Sequence, residues 1–321
     1  MLKFFPDTPP RFDIALRDAK SKTARTRALA AQSLANPPDG MRGAAVEALR
    51  PLLSDEDVTV RYTALASLGE FDDVESLPQI LAFMNDKAQP LRELAVVVAS
   101  HFDDDRAHEA ILNALDSEHP EMRFQAIVTL AETKNPAAIE RIAPKLKDED
   151  AHVRAQAALA LAKFGDASSA GALMTLLESR EHAADAACAL GELHVQEAKP
   201  RLVELAERTF APLEVRAAAA AALIQLGDAR GNEVLRSILI GWRASARSYA
   251  AQLTGKVGAT ALVPDLATLI DKPRGADPLV VVQALVRLAR KDESAQTLVT
   301  KLGRRTDEIG RVARTTHFDD E

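Results

Sequence analysis

Residues 55–68 read DEDVTVRYTALASL, and residues 148–161 read DEDAHVRAQAALAL. In both stretches an acidic cluster precedes an arginine, and alanine or leucine follows three, four and seven positions after that arginine. Apolar residues at these intervals lie on one face of an α-helix. The pattern therefore predicts an amphipathic helix that begins beside an acidic turn.

The arginine of this pattern marks an internal repeat. Arg61, Arg92, Arg123 and Arg154 are separated by 31 residues each, and weaker copies flank them. The nine equivalent positions are Arg27, Arg61, Arg92, Arg123, Arg154, Ala183, Arg216, Arg247 and Pro278. A second helical segment, such as 138–146, lies between successive copies, so each repeat reads as helix–turn–helix. One such unit is too small to bury its apolar faces alone, and stacking of neighbours is expected to bury them jointly.

The recurring pattern D-x-x-V-R-x-x-A-x-x-x-L resembles the HEAT-repeat family, in the short bacterial form known from phycobilisome-lyase-like proteins. The resemblance covers residues 20–302 and implies an all-α fold, a right-handed α-solenoid of about nine helix–turn–helix repeats. We expect residues 1–19 to form an N-terminal cap segment and 20–302 a single solenoid domain. Residues 303–321 are expected to be a C-terminal helix end or a flexible tail.

Arginine occupies seven of the nine equivalent positions, and carboxylates precede most of these arginines by four to seven residues. A residue that recurs in nearly every repeat has a structural role in the repeat, whereas a catalytic arginine is needed only once. We predict an Asp/Arg ladder that joins adjacent repeats, as in known HEAT proteins, with the acids also capping helices. The alternative, an arginine stripe that binds phosphate, requires the acids to point elsewhere. The residues assigned to the ladder are Asp57, Arg61, Asp86, Arg92, Asp116, Arg123, Asp150, Arg154 and Arg216.

Composition limits the possible classes of protein. Hydrophobic residues make up 47% of the 321 residues but aromatic residues only 4%, which favours closely packed Ala/Leu-rich helices over an aromatic-rich sandwich or a wide ligand cavity. The net charge of −7 gives the whole chain no field that attracts nucleic acid. No run of 18 apolar residues exists, and the first residues contain acids and prolines where a signal peptide needs an apolar stretch. We therefore expect a cytoplasmic protein with no transmembrane segment.

No motif for catalysis or metal binding stands out in the sequence. None of the seven histidines forms H-E-x-x-H, and none has zinc-ligand spacing to the single cysteine, Cys188. HEAT-like hydroxylases carry His-Glu dipeptides at the start of second helices, whereas His108–Glu109 here lies in a first helix. Trp242 and Tyr249 are seven residues apart, and we assign them to packing in the core or between repeats. The sequence predicts no catalytic residue, no metal and no cofactor.

The second helix of each HEAT-type repeat lines the concave face of the solenoid. Residues nine positions after the arginine form a row that changes from acidic to basic along the chain, with aromatic residues beside it. A continuous groove of this kind suits a peptide, a helix or a protein surface. The candidates for binding a partner are Tyr62, Glu70, His101, Phe124, Glu132, Lys163, Glu192, Gln225, Tyr249, Lys256 and Arg287.

Charge is unevenly distributed along the chain. Residues 1–240 contain 27 Lys/Arg and 37 Asp/Glu, whereas residues 241–316 contain 13 and 7. A surface polarised in this way orients a partner of matching charge. The predicted basic C-terminal patch consists of Arg243, Arg247, Arg290, Lys291, Arg304 and Arg305.

These features predict a non-catalytic scaffold or adaptor that binds a protein partner through its concave face. Two alternatives stay open at this point. One is a lyase-like protein that handles a tetrapyrrole or another cofactor, by analogy with the family. The other is nucleic-acid binding through the basic C-terminal repeats.

Overall fold

The computed structural model describes residues 12–132 and 138–315. These residues form helices and turns, with no strand in the described ranges. The chain divides into two compact units, here called unit 1 and unit 2. Unit 1 ends at Ala160 and unit 2 begins at Leu161.

Unit 1 is built from helix pairs that follow the predicted period. Its helices are α1 (Phe12–Asp18), α2 (Ala24–Leu34), α3 (Arg42–Leu49), α4 (Val58–Leu68), α5 (Leu77–Ala82), α6 (Gln89–Ala99), α7 (Asp105–Ala114), α8 (Pro120–Glu132), α9 (Ala138–Ile142) and α10 (Ala151–Lys163), whose last turn belongs to unit 2. Even-numbered helices are the second helices of their pairs, and α2, α4, α6 and α8 pack on one another in order.

Unit 2 continues the same alternation. Its helices are α11 (Ala170–Leu176), α12 (Ala183–Glu192), α13 (Lys199–Glu207), α14 (Leu213–Gln225), α15 (Arg230–Leu239), α16 (Ala244–Val257), α17 (Val263–Asp271), α18 (Pro278–Ala289), α19 (Glu293–Leu302) and α20 (Glu308–Thr315). The second helices α12, α14, α16 and α18 again pack on one another in order.

Proline shapes several of the first helices. α3 passes into a 3-10 turn over Arg50–Ser54, and α9 into one over Ala143–Lys147. Pro51 and Pro144 stand at the start of these turns. Because proline has no backbone N–H to donate, the α-helical hydrogen bonds end there and the chain tightens toward the next turn.

Small side chains fill the core between second helices. The alanines three positions after the ladder arginine, Ala64, Ala95, Ala126 and Ala157, are fully buried, as is the leucine four positions beyond Ala157, Leu161. Alanine at this place lets neighbouring helices approach closely, so a larger side chain would strain the stack. The fold class predicted from the period, an all-α solenoid of helix–turn–helix repeats, is confirmed.

The C-terminal end contains one more helix pair than expected. The pair α19 and α20 makes ten pairs within the described residues, against about nine predicted. Ile309 and Val312 of α20 pack against the core of unit 2, and Ala313 is buried. Residues 308–315 therefore form a packed second helix, while residues 316–321 lie outside the described residues. At the other end, α1 occupies residues 12–18 of the proposed cap segment, and residues 1–11 lie outside the description.

Candidate protein-binding surface

The recurring arginines of unit 1 connect consecutive repeats. The guanidinium of Arg27 pairs with Asp55 at 2.6 Å, and that of Arg61 lies 3.6 Å from Asp86. Arg92 pairs with Glu121, and Arg123 with Asp148 at 2.7 Å. In each case an arginine at the start of one second helix meets a carboxylate at the turn before, or the first turn of, the next second helix. These charges are neutralised inside the protein, so they offer no free stripe to a phosphate ligand.

The same arginines also stabilise the turn that precedes their own helix. Arg61 Nη1 donates to the carbonyl oxygen of Asp55 at 2.9 Å, and Arg154 Nη1 donates to that of Asp148 at 2.7 Å. Two other acids of the predicted ladder act as helix caps: Asp57 accepts from the backbone N–H groups of Thr59 and Val60, and Asp150 from those of His152 and Val153. A capping carboxylate satisfies N–H groups that have no partner within the helix.

Asp116 and Arg216 have partners other than those the ladder would give them. Asp116 pairs with Arg141 and Lys145 of the following first helix and its 3-10 turn, at 2.9 and 2.8 Å. Arg216 donates its Nε–H to the carbonyl oxygen of Ala206 at 2.9 Å. The carboxylate that meets Arg92 is instead Glu121, which the sequence pattern missed because it lies inside the first turn of α8.

An open groove of about 680 Å³ lies on the second helices α2 and α4 of unit 1. Tyr62, 42% exposed, contributes an aromatic ring, and the exposed Glu70 contributes a carboxylate. The buried Ser67 hydroxyl donates to the carbonyl oxygen of Ala31 at 2.9 Å, which holds the two helices together at the floor. The complete lining is Gln32, Ala35, Asn36, Thr59, Tyr62, Thr63, Ala66, Ser67 and Glu70.

The predicted concave row continues beyond this groove in unit 1. His101 and Glu132 are exposed, and Phe124 is half-buried. His101 Nδ1 lies 3.0 Å from the carbonyl oxygen of Gly69, so one ring nitrogen is engaged by the preceding repeat. Unit 1 therefore presents aromatic, apolar and acidic side chains from consecutive second helices, a mixture that suits a protein segment with basic and apolar residues.

The corresponding surface of unit 2 is closed over α14. Residues 217–222 of this helix are six alanines, and all six are buried. Lys256 of α16 reaches Glu192 of α12 at 2.5 Å, although α14 lies between these two helices. Glycine permits this close approach, because a Cβ on Gly191 would lie 2.7 Å from Ala222 Cα and would also collide with the Gln225 side chain.

Four predicted binding residues thus serve contacts within unit 2. The hydrogen bond from Lys256 to Glu192 raises the pKa of the lysine. Tyr249 and Cys188 pack against the core of unit 2, and burial raises the pKa of both groups. Gln225 packs over Gly191. By contrast, Lys163 and Arg287 are exposed at their predicted positions.

The basic residues of the C-terminal repeats are distributed unevenly. Arg243, Arg290, Lys291, Arg304 and Arg305 are exposed, and Arg305 pairs with Asp307 at 2.6 Å. Arg247, which we assigned to this surface patch, is instead 3% exposed and donates to the carbonyl oxygen of Gly241 at 2.5 Å. It is buried because it occupies the ladder position at the start of α16.

Two aromatic residues have environments that the sequence did not indicate. Trp242, which we assigned to packing, is 81% exposed because it lies in the turn before α16. Phe210, in the turn before α14, is 98% exposed. The sequence did contain a signal for this exposure. Neither turn has the acidic residues found at 55–57 and 148–150.

No helix within the described ranges has both the length and the apolar character needed to cross a membrane.

Comparison with known proteins identifies the architecture. A sequence profile for HEAT repeats matches residues 9–100 and 108–187, more than half of the chain. No curated protein gives a match. Among solved structures, Escherichia coli YibA is similar with 18% identity and a TM-score of 0.54, covering 67% of this chain and 81% of that chain.

Two further structures are similar. The Kap95:Nup1 complex has 14% identity and a TM-score of 0.55, covering 95% of this chain and 49% of that chain. The complex of CpcE and CpcF of phycocyanin lyase from Nostoc has 18% identity, covers 98% of this chain and 99% of that chain, and has a TM-score of 0.33. At these identities the first two likenesses show the fold alone, and the third supports no argument about activity.

Proposed function

Because the chain belongs to the HEAT-repeat family, we propose that it is a non-catalytic scaffold or adaptor that binds a protein partner through the inner face of unit 1. The observation that carries this proposal is the open groove on α2 and α4, with Tyr62 and Glu70 at its surface. An exposed tyrosine supplies contact area at low entropic cost, and a carboxylate selects a cationic residue on the partner.

The closure of unit 2 supports placing the binding surface in unit 1. Glu192 and Lys256 already neutralise each other at 2.5 Å, and burial of α14 leaves its alanines without access to a ligand. In the groove of unit 1, by contrast, Glu70 has no ion pair among the described residues and Tyr62 is exposed. These are the properties expected of a surface that gains free energy by being covered.

Site-specific photo-crosslinking in cells tests this proposal. A photoreactive phenylalanine analogue at position 62 should crosslink one or a few proteins, and the same analogue at Gln79 of the first helix α5 should not crosslink them. Glu70→Lys should reduce the crosslinked yield at least about tenfold, the effect of one charge-assisted contact. Glu47→Lys makes the same charge change on the exposed face of α3 and should leave the yield unchanged.

Two results would contradict the proposal. One is crosslinking from position 62 that is indistinguishable from that at Gln79. The other is an equal response to Glu70→Lys and Glu47→Lys, because the groove carboxylate would then make no specific contact.

A further inference from the structure

The turns that precede the second helices differ in chemistry between the two units. Six residues before the ladder arginine, unit 1 has Asp55, Asp86 and Asp148, and Ser117 before Arg123. The equivalent residues of unit 2 are Phe210 before Arg216 and Gly241 before Arg247. The carboxylates that neutralise the ladder in unit 1 are therefore replaced in unit 2 by an aromatic residue and a glycine.

Each carboxylate of unit 1 meets the arginine of the preceding second helix, so the residue that faces Arg216 is Gly241, and the residue at the equivalent position for Arg247 is Lys272. Arg216 and Arg247 form no ion pair with any carboxylate in the described part of the chain, and each donates to a backbone carbonyl oxygen instead. Arg247 is 3% exposed, and its Nε–H has no hydrogen-bond partner. A buried charge without a partner is costly, so this edge of unit 2 retains positive potential that a carboxylate would stabilise.

Exposed apolar side chains lie in the turns before α14 and α16. Phe210, Ile240 and Trp242 are the three most exposed large hydrophobic residues within the described ranges. The Arg243 guanidinium lies over the Trp242 ring at 5.0 Å from its centroid, and a guanidinium stacked on an aromatic ring still has N–H groups to donate to a carboxylate. We call the set Phe210, Arg216, Ile240, Trp242 and Arg243 the aromatic edge.

The offset between successive repeats indicates where the turns with Phe210 and Trp242 lie. In unit 1 each turn lies against the start of the preceding second helix, as the Arg123–Asp148 pair shows. The same offset holds in unit 2, where the Asp277 N–H donates to Ser248 Oγ at the start of α16 at 2.9 Å. By the same offset, we infer that the turn with Trp242 lies against the start of α14, close to the turn with Phe210.

We propose that the aromatic edge is a second interaction surface, which binds an acidic segment of a partner protein that also carries large apolar side chains. The partner's carboxylates pair with Arg216, as Asp86 and Asp148 pair with Arg61 and Arg123 in unit 1, and with the exposed Arg243. Its apolar side chains cover Phe210, Ile240 and Trp242, each of which loses solvent contact on binding.

Charge favours a protein segment over a membrane as the occupant. Glu207 and Glu214 flank Phe210, and Glu207 is exposed. Insertion of Phe210 into an anionic bilayer would carry these carboxylates into the headgroup layer, where like charges oppose them. A peptide places single carboxylates beside Arg216 and Arg243 and keeps them away from Glu207 and Glu214, whereas a continuous anionic surface meets all of these charges at once. The edge belongs to unit 2, so this proposal does not depend on the groove of unit 1.

The test uses the full chain and a phage-displayed library of random 12-residue peptides. We expect enrichment of sequences with Asp or Glu beside Leu, Phe or Trp. Trp242 is the single tryptophan, so its emission reports binding directly and should shift to the blue when an enriched synthetic peptide is added. Replacing the acids of that peptide with their amides should weaken binding at least about tenfold, the loss of one charged pair.

Variants locate the binding on the chain. Arg243→Glu and Phe210→Ser should each weaken the peptide at least about tenfold, and Phe210 is exposed enough that its replacement leaves the fold intact. For Phe210→Ser the emission of Trp242 still reports binding. Lys301→Glu makes the same charge change as Arg243→Glu on the exposed face of α19 and should have no effect, as should Glu70→Lys in the groove of unit 1.

Several outcomes would overturn the proposal. These are a library that yields no enriched peptide, enriched peptides that are basic or uncharged, and equal losses for Arg243→Glu and Lys301→Glu. Vesicles of phosphatidylserine and phosphatidylcholine provide the remaining comparison. A blue shift of Trp242 with vesicles but not with the acidic peptide would assign the edge to a membrane surface instead.

Discussion

The arginine ladder of unit 1 provides two ion pairs that differ in burial and in the distance between their charged groups. Asp148 accepts two hydrogen bonds from Arg123, at 2.7 and 2.8 Å, and both side chains are 6% exposed. Asp86 lies 3.6 Å from Arg61, and these side chains are 19% and 20% exposed. Each aspartate also accepts a backbone N–H two residues later, from Asp150 and Ala88 respectively. Asparagine retains that acceptor, so Asp148→Asn and Asp86→Asn isolate the charge.

The expected change in the free energy of unfolding depends on how deeply each pair is buried and how close its charges lie. Breaking a buried pair leaves an uncompensated charge and costs about 3–5 kcal/mol. Glu149 remains 3.4 Å from Arg123 and offsets part of the loss, so we expect the free energy of unfolding to fall by about 3 kcal/mol in Asp148→Asn. For Asp86→Asn we expect at most about 1 kcal/mol, the range for longer and more solvated pairs.

The buried pair also predicts a dependence on pH. Burial acts to raise the pKa of Asp148, but the hydrogen bonds from Arg123 and the Asp150 N–H, together with the positive charges of Arg123 and Lys145, outweigh it, so the pKa is lowered. A carboxylate whose pKa is lower in the folded state stabilises the fold fully above its unfolded pKa of about 3.9. That stability is lost as the pH falls below this value. Asp148→Asn should therefore lose less stability than the parent chain between about pH 4 and pH 3.

Urea unfolding followed by far-UV circular dichroism measures both effects. The reasoning is refuted if Asp148→Asn and Asp86→Asn lower the free energy of unfolding equally at pH 7. It is also refuted if the two variants respond identically to acid. Either result would mean that the burial of the Arg123–Asp148 pair does not set its contribution.

Three further predictions concern packing, capping and the thiol. Gly191→Ala should destabilise the chain by about 1–3 kcal/mol in thermal unfolding, because the added Cβ would lie 2.7 Å from Ala222 Cα. Gly43→Ala, in an open part of α3, should instead stabilise it by about 0.5–1 kcal/mol. Asp57→Ala should cost about 1 kcal/mol through loss of the α4 cap, and Asp57→Asn little. Cys188, whose pKa is raised by burial, should react with an aromatic disulfide reagent at least about tenfold more slowly in the native chain than in urea.

Periodicity was sufficient to predict the architecture, because each repeat copies the same helical face and the same acidic turn. It also indicated which arginines recur, although Glu121 replaces the expected aspartate as the partner of Arg92. The tenth pair was missed because α20 has isoleucine at position 309 where the pattern calls for arginine. A short polar helix of this kind is recognisable only through the core that it covers.

The binding surface was harder to predict because accessibility depends on distances between helices. The residues nine positions after the arginine lie at the C-terminal ends of second helices, within the last turn for Lys256 and Arg287 and just past the helix for Glu70 and His101. Whether those residues are free depends on how closely α12, α14 and α16 approach, and this is set by Gly191 and by the alanines of α14. In the sequence these small residues look like ordinary core positions. The sequence pattern therefore does not show that the Lys256 side chain reaches Glu192.

The two units have different residues in the turns before their second helices and on their inner faces, and this difference bears on function. Unit 1 neutralises Arg27, Arg61, Arg92 and Arg123 with its own carboxylates and leaves the inner groove around Tyr62 open. Unit 2 closes its inner face with the Lys256–Glu192 pair and leaves Arg216 and Arg247 without carboxylates. A repeat without an acid at this turn has no stability reason to place Phe210 or Trp242 in water, since exposed aromatic residues gain nothing from solvent. Their presence at this edge fits the proposed contact with a partner protein.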